Sequence, residues 1–279
     1  MRPTRSVQLV VGVMVVVATF VIGGYVGSAS GATLTSTTSA MATTSPDHLT
    51  LVAFGDSWPN GGHCDGCEAF PARYADGLEQ VTGLPVRFVD LTQSLVPHTN
   101  RGETPESLLH DLLTNKQVQR SVAEADVIMI ATGPNDLDDG SLDAYLAGTC
   151  GGPDNADCFR ALQATWRASF DAILQQIHAI RQGRPAAIRL VAADNFFISD
   201  PFLIDQFGMR FGRTTGAMIM QELATATCQA ADAYGAVCID ARKIINGPGM
   251  NKPADENSDA SHQAVADALV ASGLAELGL

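Results

Sequence analysis

Five short runs of the chain are almost continuously apolar or β-branched: residues 49–54 (LTLVAF), 86–91 (VRFVDL), 126–132 (DVIMIAT), 187–192 (AIRLVA) and 236–239 (AVCI). A strand with one wet face alternates polar with apolar positions, so unbroken runs of this length predict strands covered on both faces. Between them, residues 69–80, 105–113, 159–181, 215–233 and 261–275 repeat apolar positions at helical spacing. Strand and helix alternating in this way predict a three-layer α/β/α sandwich around a central, about five-stranded parallel sheet with right-handed crossovers. Function in such folds collects in the loops at the carboxyl ends of the strands.

The first 47 residues depart from that pattern. Arg2 and Arg5 precede an apolar run from Val7 to Gly27, small residues follow, and no charged residue occurs between Arg5 and Asp47. This reads as an export signal over residues 1–32, with processing after Ser30 or after Ala32. The apolar run is also long enough for the alternative, an uncleaved anchor with a single membrane span. From Ser28 to Ser45, 11 of 18 residues are Ser or Thr, a composition that builds no core, so residues 33–47 are read as a flexible linker. Residues 48–279 then form one domain, and the expected location is secreted or extracytoplasmic, anchored through the N-terminus if the segment is retained.

Composition removes whole classes of function. With 46% hydrophobic residues the chain is no disordered polymer, and 17 Lys and Arg against 30 Asp and Glu leave a net charge of −13 with no basic surface for phosphates. Nucleic acid is therefore not an expected partner. Six cysteines lie downstream of the linker, and their proximity in sequence suggests disulfides Cys64–Cys67, Cys150–Cys158 and Cys228–Cys238, although six cysteines permit about fifteen pairings. The competing reading of HCDGC, a zinc or redox site, requires further ligands or a thioredoxin-like setting, and no second CxxC or close His/Cys pair is visible. No metal is expected. Nor is any other cofactor, because no GxGxxG, Walker-type loop or HExxH occurs.

Three strand-to-helix loops carry candidate chemistry. The first strand runs into GDSW at Gly55–Trp58, the third into GPND at Gly133–Asp136, and DASH at Asp259–His262 opens the last helix. Each alone is ordinary turn or capping sequence. Asp259 and His262, three residues apart, share one helix face. Together, in this order and spacing, the three segments resemble the motifs of the GDSL esterase/lipase family, the SGNH hydrolases, over roughly residues 50 to 275. The family's remaining motif glycine is best matched by Gly102 in TNRGETP. Trp58 stands where the family name has Leu, a position that does no chemistry.

The resemblance implies an SGNH-hydrolase-like, flavodoxin-like sandwich and a serine esterase. A serine hydroxyl is a poor nucleophile until a base removes its proton, and neutral imidazole is suited to that near pH 7. The expected catalytic residues are Ser57 as nucleophile, His262 as base and Asp259 as the carboxylate that orients the imidazole. Backbone N–H groups of Ser57 and Gly102 and the side-chain amide of Asn135 would form the oxyanion hole, while Asp56 and Asp136 tie loops together. Of the other histidines, His110 and His178 sit on predicted helices, and His63 and His98 lie in loops near the site without an Asp three positions before them.

Five of the 11 Phe residues fall between Phe196 and Phe211, directly after the fourth strand, in a segment read as a loop. They either fasten that loop to the core or wall an acyl pocket, with Phe196 and Phe197 as the substrate-binding candidates. The expected partner is a small-molecule, lipid or acylated-carbohydrate ester, with the chain acting as a monomer on short to medium acyl groups. The rival readings are a carbohydrate O-deacetylase of the same fold and a catalytically silent exported binding domain.

Overall fold

The computed structural model describes residues 47–61, 64, 66–92, 104–133, 135–138, 140–255 and 257–279. The N-terminal segment and linker, together with His63, His98 and Gly102, lie outside the described residues.

Among the described residues five strands, β1 (Leu49–Gly55), β2 (Val86–Thr92), β3 (Val127–Ala131), β4 (Ala187–Ala192) and β5 (Val237–Asp240), form one sheet in the order β2-β1-β3-β4-β5, every neighbouring pair parallel. Among the described residues ten α-helices connect and cover it: α1 (Ser57–Asn60), α2 (Phe70–Thr82), α3 (Pro105–Thr114), α4 (Lys116–Glu124), α5 (Ser141–Leu146), α6 (Asp157–Arg181), α7 (Pro201–Phe211), α8 (Ala217–Ala233), α9 (Ala241–Ile245) and α10 (Asp259–Ala271). Parallel strands need crossovers, and those crossovers bury both faces of the sheet, which is why β1, β3 and β4 are buried along their whole length.

Alternate side chains on each strand point into two separate cores. Val52, Phe54, Ile128, Ile130, Ile188 and Leu190 pack with α3, α4, α6 and α8. On the opposite face, Leu49, Leu51, Val127, Met129 and Val191 pack with α2, α9 and α10. The sandwich is thus three-layered, as the periodicity predicts. It also places β1 and β3 side by side at the centre, so the loops after Gly55 and Ala131 must emerge together at one edge.

The largest difference from the sequence reading lies after β4. Residues 196–211 are not a loop: a 3₁₀ turn (Phe196–Ile198) leads into α7, which Asp200 caps by accepting from the Phe202 and Leu203 N–H groups. Gly208, at φ 82 and ψ 149, kinks that helix, and none of its residues is fully buried, Leu203, Phe207 and Phe211 packing against the edge of the core. A π-helical turn (Gly212–Gly216) joins it to α8. Helices α4 and α5 were likewise invisible to a search for long apolar periods, being only 9 and 6 residues long.

The three disulfides Cys64–Cys67, Cys150–Cys158 and Cys228–Cys238 are present. Among the described residues no helix is long and apolar enough to cross a membrane.

Candidate active site

Strand β1 ends at Gly55, where nothing larger fits. A Cβ there would fall on the Pro59 ring and on the carbonyl of Ala131 in the neighbouring strand. The next residue, Asp56, caps α1 by accepting the Trp58 N–H at 3.0 Å, which holds Ser57 in the first turn, half-buried. The second carboxylate oxygen of Asp56 accepts the backbone N–H of Gly133 and the side-chain amide of Asn135, the latter at 3.2 Å. A side chain at position 133 would collide with that carboxylate. Asp56 therefore clamps the β1 loop to the β3 loop and aims the Asn135 amide.

Burial raises the Asp56 carboxyl to about 6, with the three donated hydrogen bonds pulling the other way. Desolvation of the charge outweighs them.

Ser57, Gly133 and Asn135 line one cavity of about 360 Å³, a volume suited to a small ligand. Its apolar lining includes Trp58, Leu137, Leu142, Phe196, Phe202 and Leu203. Its polar lining includes Asp194, Asp200, Gln206 and Asn257. Of the two Phe candidates, Phe196 faces the cavity, whereas Phe197 is buried in the core and packs against Phe207 and Phe211. The contributions of α5 and α7 are what sequence reading missed; the only signal was the density of Phe after β4.

His262 occupies the first turn of α10, which Ser258 caps. Its ring is wholly buried, stacked on Phe70 with centroids 5.7 Å apart and lying 6.4 Å from Trp58. Nδ1 accepts the backbone N–H of Phe70 at 3.2 Å, so the neutral ring carries its proton on Nε2, and Nε2 has no hydrogen-bond partner among the described residues. Burial pushes the imidazole below its ordinary value, and the Arg73 charge adds to this, while Asp259 and Asp255 oppose it.

Asp259 is 69% exposed and pairs with Arg73, which also donates to Gln263. Among the described residues no hydrogen bond joins Asp259 to His262 or His262 to Ser57. The structure therefore brings Ser57 and Asn135 to one cavity, packs His262, outside that cavity's lining, against Phe70 and Trp58, and holds Asp259 on the surface with Arg73.

A model of the GDSL-like lipase/acylhydrolase family matches residues 53–264. The solved structure of the lipase Lip_vut3 from a goat rumen metagenome is similar, with 20% identity, a TM-score of 0.58, and 81% of this chain and 97% of that one covered. An extracellular lipase from Streptomyces rimosus matches with 15% identity and a TM-score of 0.51 over 79% and 99% of the two chains. Phospholipase A1 from Streptomyces albidoflavus NA297 matches with 12% identity and a TM-score of 0.50 over the same shares. No curated protein sequence matches the chain. The fold is that of the SGNH hydrolases. The chain belongs to the GDSL-like lipase/acylhydrolase family, and so to a family of hydrolases.

Proposed function

We propose that this chain is an exported serine esterase that hydrolyses carboxylic esters of short to medium acyl length. The observation that carries the reading is the convergence of Ser57 and the Asp56-braced Asn135 amide on one cavity with an apolar wall. An ester carbonyl seated there finds a hydroxyl and an amide donor in the same cavity. Ser57 attacks the carbonyl carbon and passes its proton to His262, which returns it to the leaving alcohol. Water then cleaves the acyl-enzyme by the same route. The Asn135 amide and the backbone N–H groups of Ser57 and Gly102 stabilise the developing oxyanion.

The working state differs from the resting one at His262. To accept a proton on Nε2 the ring must carry its own on Nδ1, the atom that now accepts from Phe70. Asp259 favours that tautomer when it leaves Arg73 and turns to the imidazole.

Export rests on the basic start, apolar run and Ser/Thr-rich segment before Asp47. A second reading, O-deacetylation of acetylated carbohydrate, draws on Asp194, Asp200, Gln206 and Asn257 in the same cavity. Rates on p-nitrophenyl acetate decide between an esterase and a silent binding domain: turnover abolished by Ser57→Ala supports the first, and none in the wild type the second.

A further inference from the structure

The Cys64–Cys67 bridge lies against His262, contributed by a helix that begins 192 residues after Cys67. Both sulfurs and one ring nitrogen of His262 fall within 4.8 Å of one another. The two cysteines are half-buried and so within reach of a small reductant, with exposed Gly66 at φ 77 in the turn between them. His262 is fully buried and its Nε2 has no hydrogen-bond partner among the described residues. Two thiols at CxxC spacing plus one imidazole make a three-ligand set of the type that holds zinc with its fourth position open. The sequence alone hides this, because the third ligand is remote in the chain.

We propose that reduction of the Cys64–Cys67 bridge creates a Cys₂His site for zinc or a similar soft divalent cation, and that filling it silences the esterase. A dithiol supplies two electrons and two protons, turning the bridge into two thiols while becoming a disulfide itself. Zinc then displaces both thiol protons, binds the two thiolates and a ring nitrogen of neutral His262, and keeps a water in the fourth position. Whichever ring nitrogen coordinates, the base is lost. Metal on Nε2 takes the lone pair that would accept the serine proton, and metal on Nδ1 leaves the ring proton on Nε2. The loss of activity rests on His262 acting as base in the proposed function; the metal site does not.

The test uses the full chain, reduced with a dithiol, desalted, exposed to equimolar zinc and desalted again, with zinc per chain measured directly. The expected result is about one zinc per reduced chain and none on the oxidised chain, with the Cys64→Ser/Cys67→Ser double variant retaining less than about a tenth of that amount. The other four cysteines are unchanged in that variant, so equal retention by it overturns the proposal, as does no retention by the reduced wild type. His262→Ala, which keeps both thiols, should weaken zinc binding at least about tenfold, and unchanged affinity also overturns it. Hydrolysis should fall on loading and return with a chelator. Were the chain to show no hydrolysis at all, zinc retention would still decide the site.

Discussion

The Asp56 carboxylate accepts a hydrogen bond from the Asn135 amide at 3.2 Å across 79 residues of sequence. That bond makes an otherwise ordinary Gly-Asp-Ser turn the brace of the candidate oxyanion hole. Asp56→Ala should leave the buried Gly133 N–H without its acceptor and remove the α1 cap, costing about 2 to 4 kcal/mol together. Because Asn135 then loses its orientation, kcat should fall on the order of 10²-fold with KM little changed. Thermal unfolding and steady-state kinetics on a soluble ester check both. A variant that unfolds earlier but keeps its kcat would make Asp56 purely structural.

Ser57 and His262 should act as one unit. Ser57→Ala and His262→Ala should each reduce kcat by roughly 10⁴-fold or more, and the double variant should be little worse than either. Additive losses would show that the two side chains do not share a proton-transfer step.

The environment of His262 sets a pH signature in the oxidised protein. Burial and Arg73 hold the imidazole below its ordinary value, so an NMR titration of Ser57→Ala should place its midpoint under about 6.5. The folded state binds fewer protons there, so this group's stability contribution is lost as pH falls below the unfolded histidine value. Asp56 has the opposite sign. Raised to about 6, its contribution is complete below the unfolded carboxyl value near 4 and is lost as pH rises through 6. Arg73→Ala should raise the His262 midpoint and release Asp259; a midpoint that stays put would remove Arg73 from the account.

Substrate preference should follow the cavity wall. Leu142, Phe202 and Leu203 offer apolar surface to an acyl chain, and each buried methylene is worth up to about 0.8 kcal/mol. Over p-nitrophenyl esters of increasing length, kcat/KM should rise from acetate to butyrate or hexanoate. Phe202, 72% exposed, has little packing to lose, so Phe202→Ala should flatten that rise without lowering stability by more than about 0.5 kcal/mol. A steep fall from acetate to butyrate in the wild type would favour the O-deacetylase.

The five strands were legible because burial on both faces forces an unbroken apolar run, and a run such as Val127–Ala131 records its environment in its own residues. Ser57, Asn135 and His262 were legible as candidates because motif spacing maps onto strand ends. Three central facts of the site were not. The Phe70 bond to Nδ1 of His262, the Arg73 pairing of Asp259 and the Cys64–Cys67 bridge beside the imidazole all join residues at least 186 apart. They exist because α2 and α10 pack side by side on one face of the sheet, and residue periodicity reports that a position is buried without naming what it is buried against. Helix α7 was missed for a related reason: its apolar side chains divide between the cavity (Phe202, Leu203) and the edge of the core (Phe207, Phe211), and Gly208 breaks the helix between those last two, so no long uninterrupted apolar period marks it. The sequence by itself determined the sheet, its layers and the kinds of reactive side chain at one edge. Tertiary packing decided which of them meet, because hydrogen-bond partners, tautomer and burial depend on neighbours that the chain brings together only after it folds.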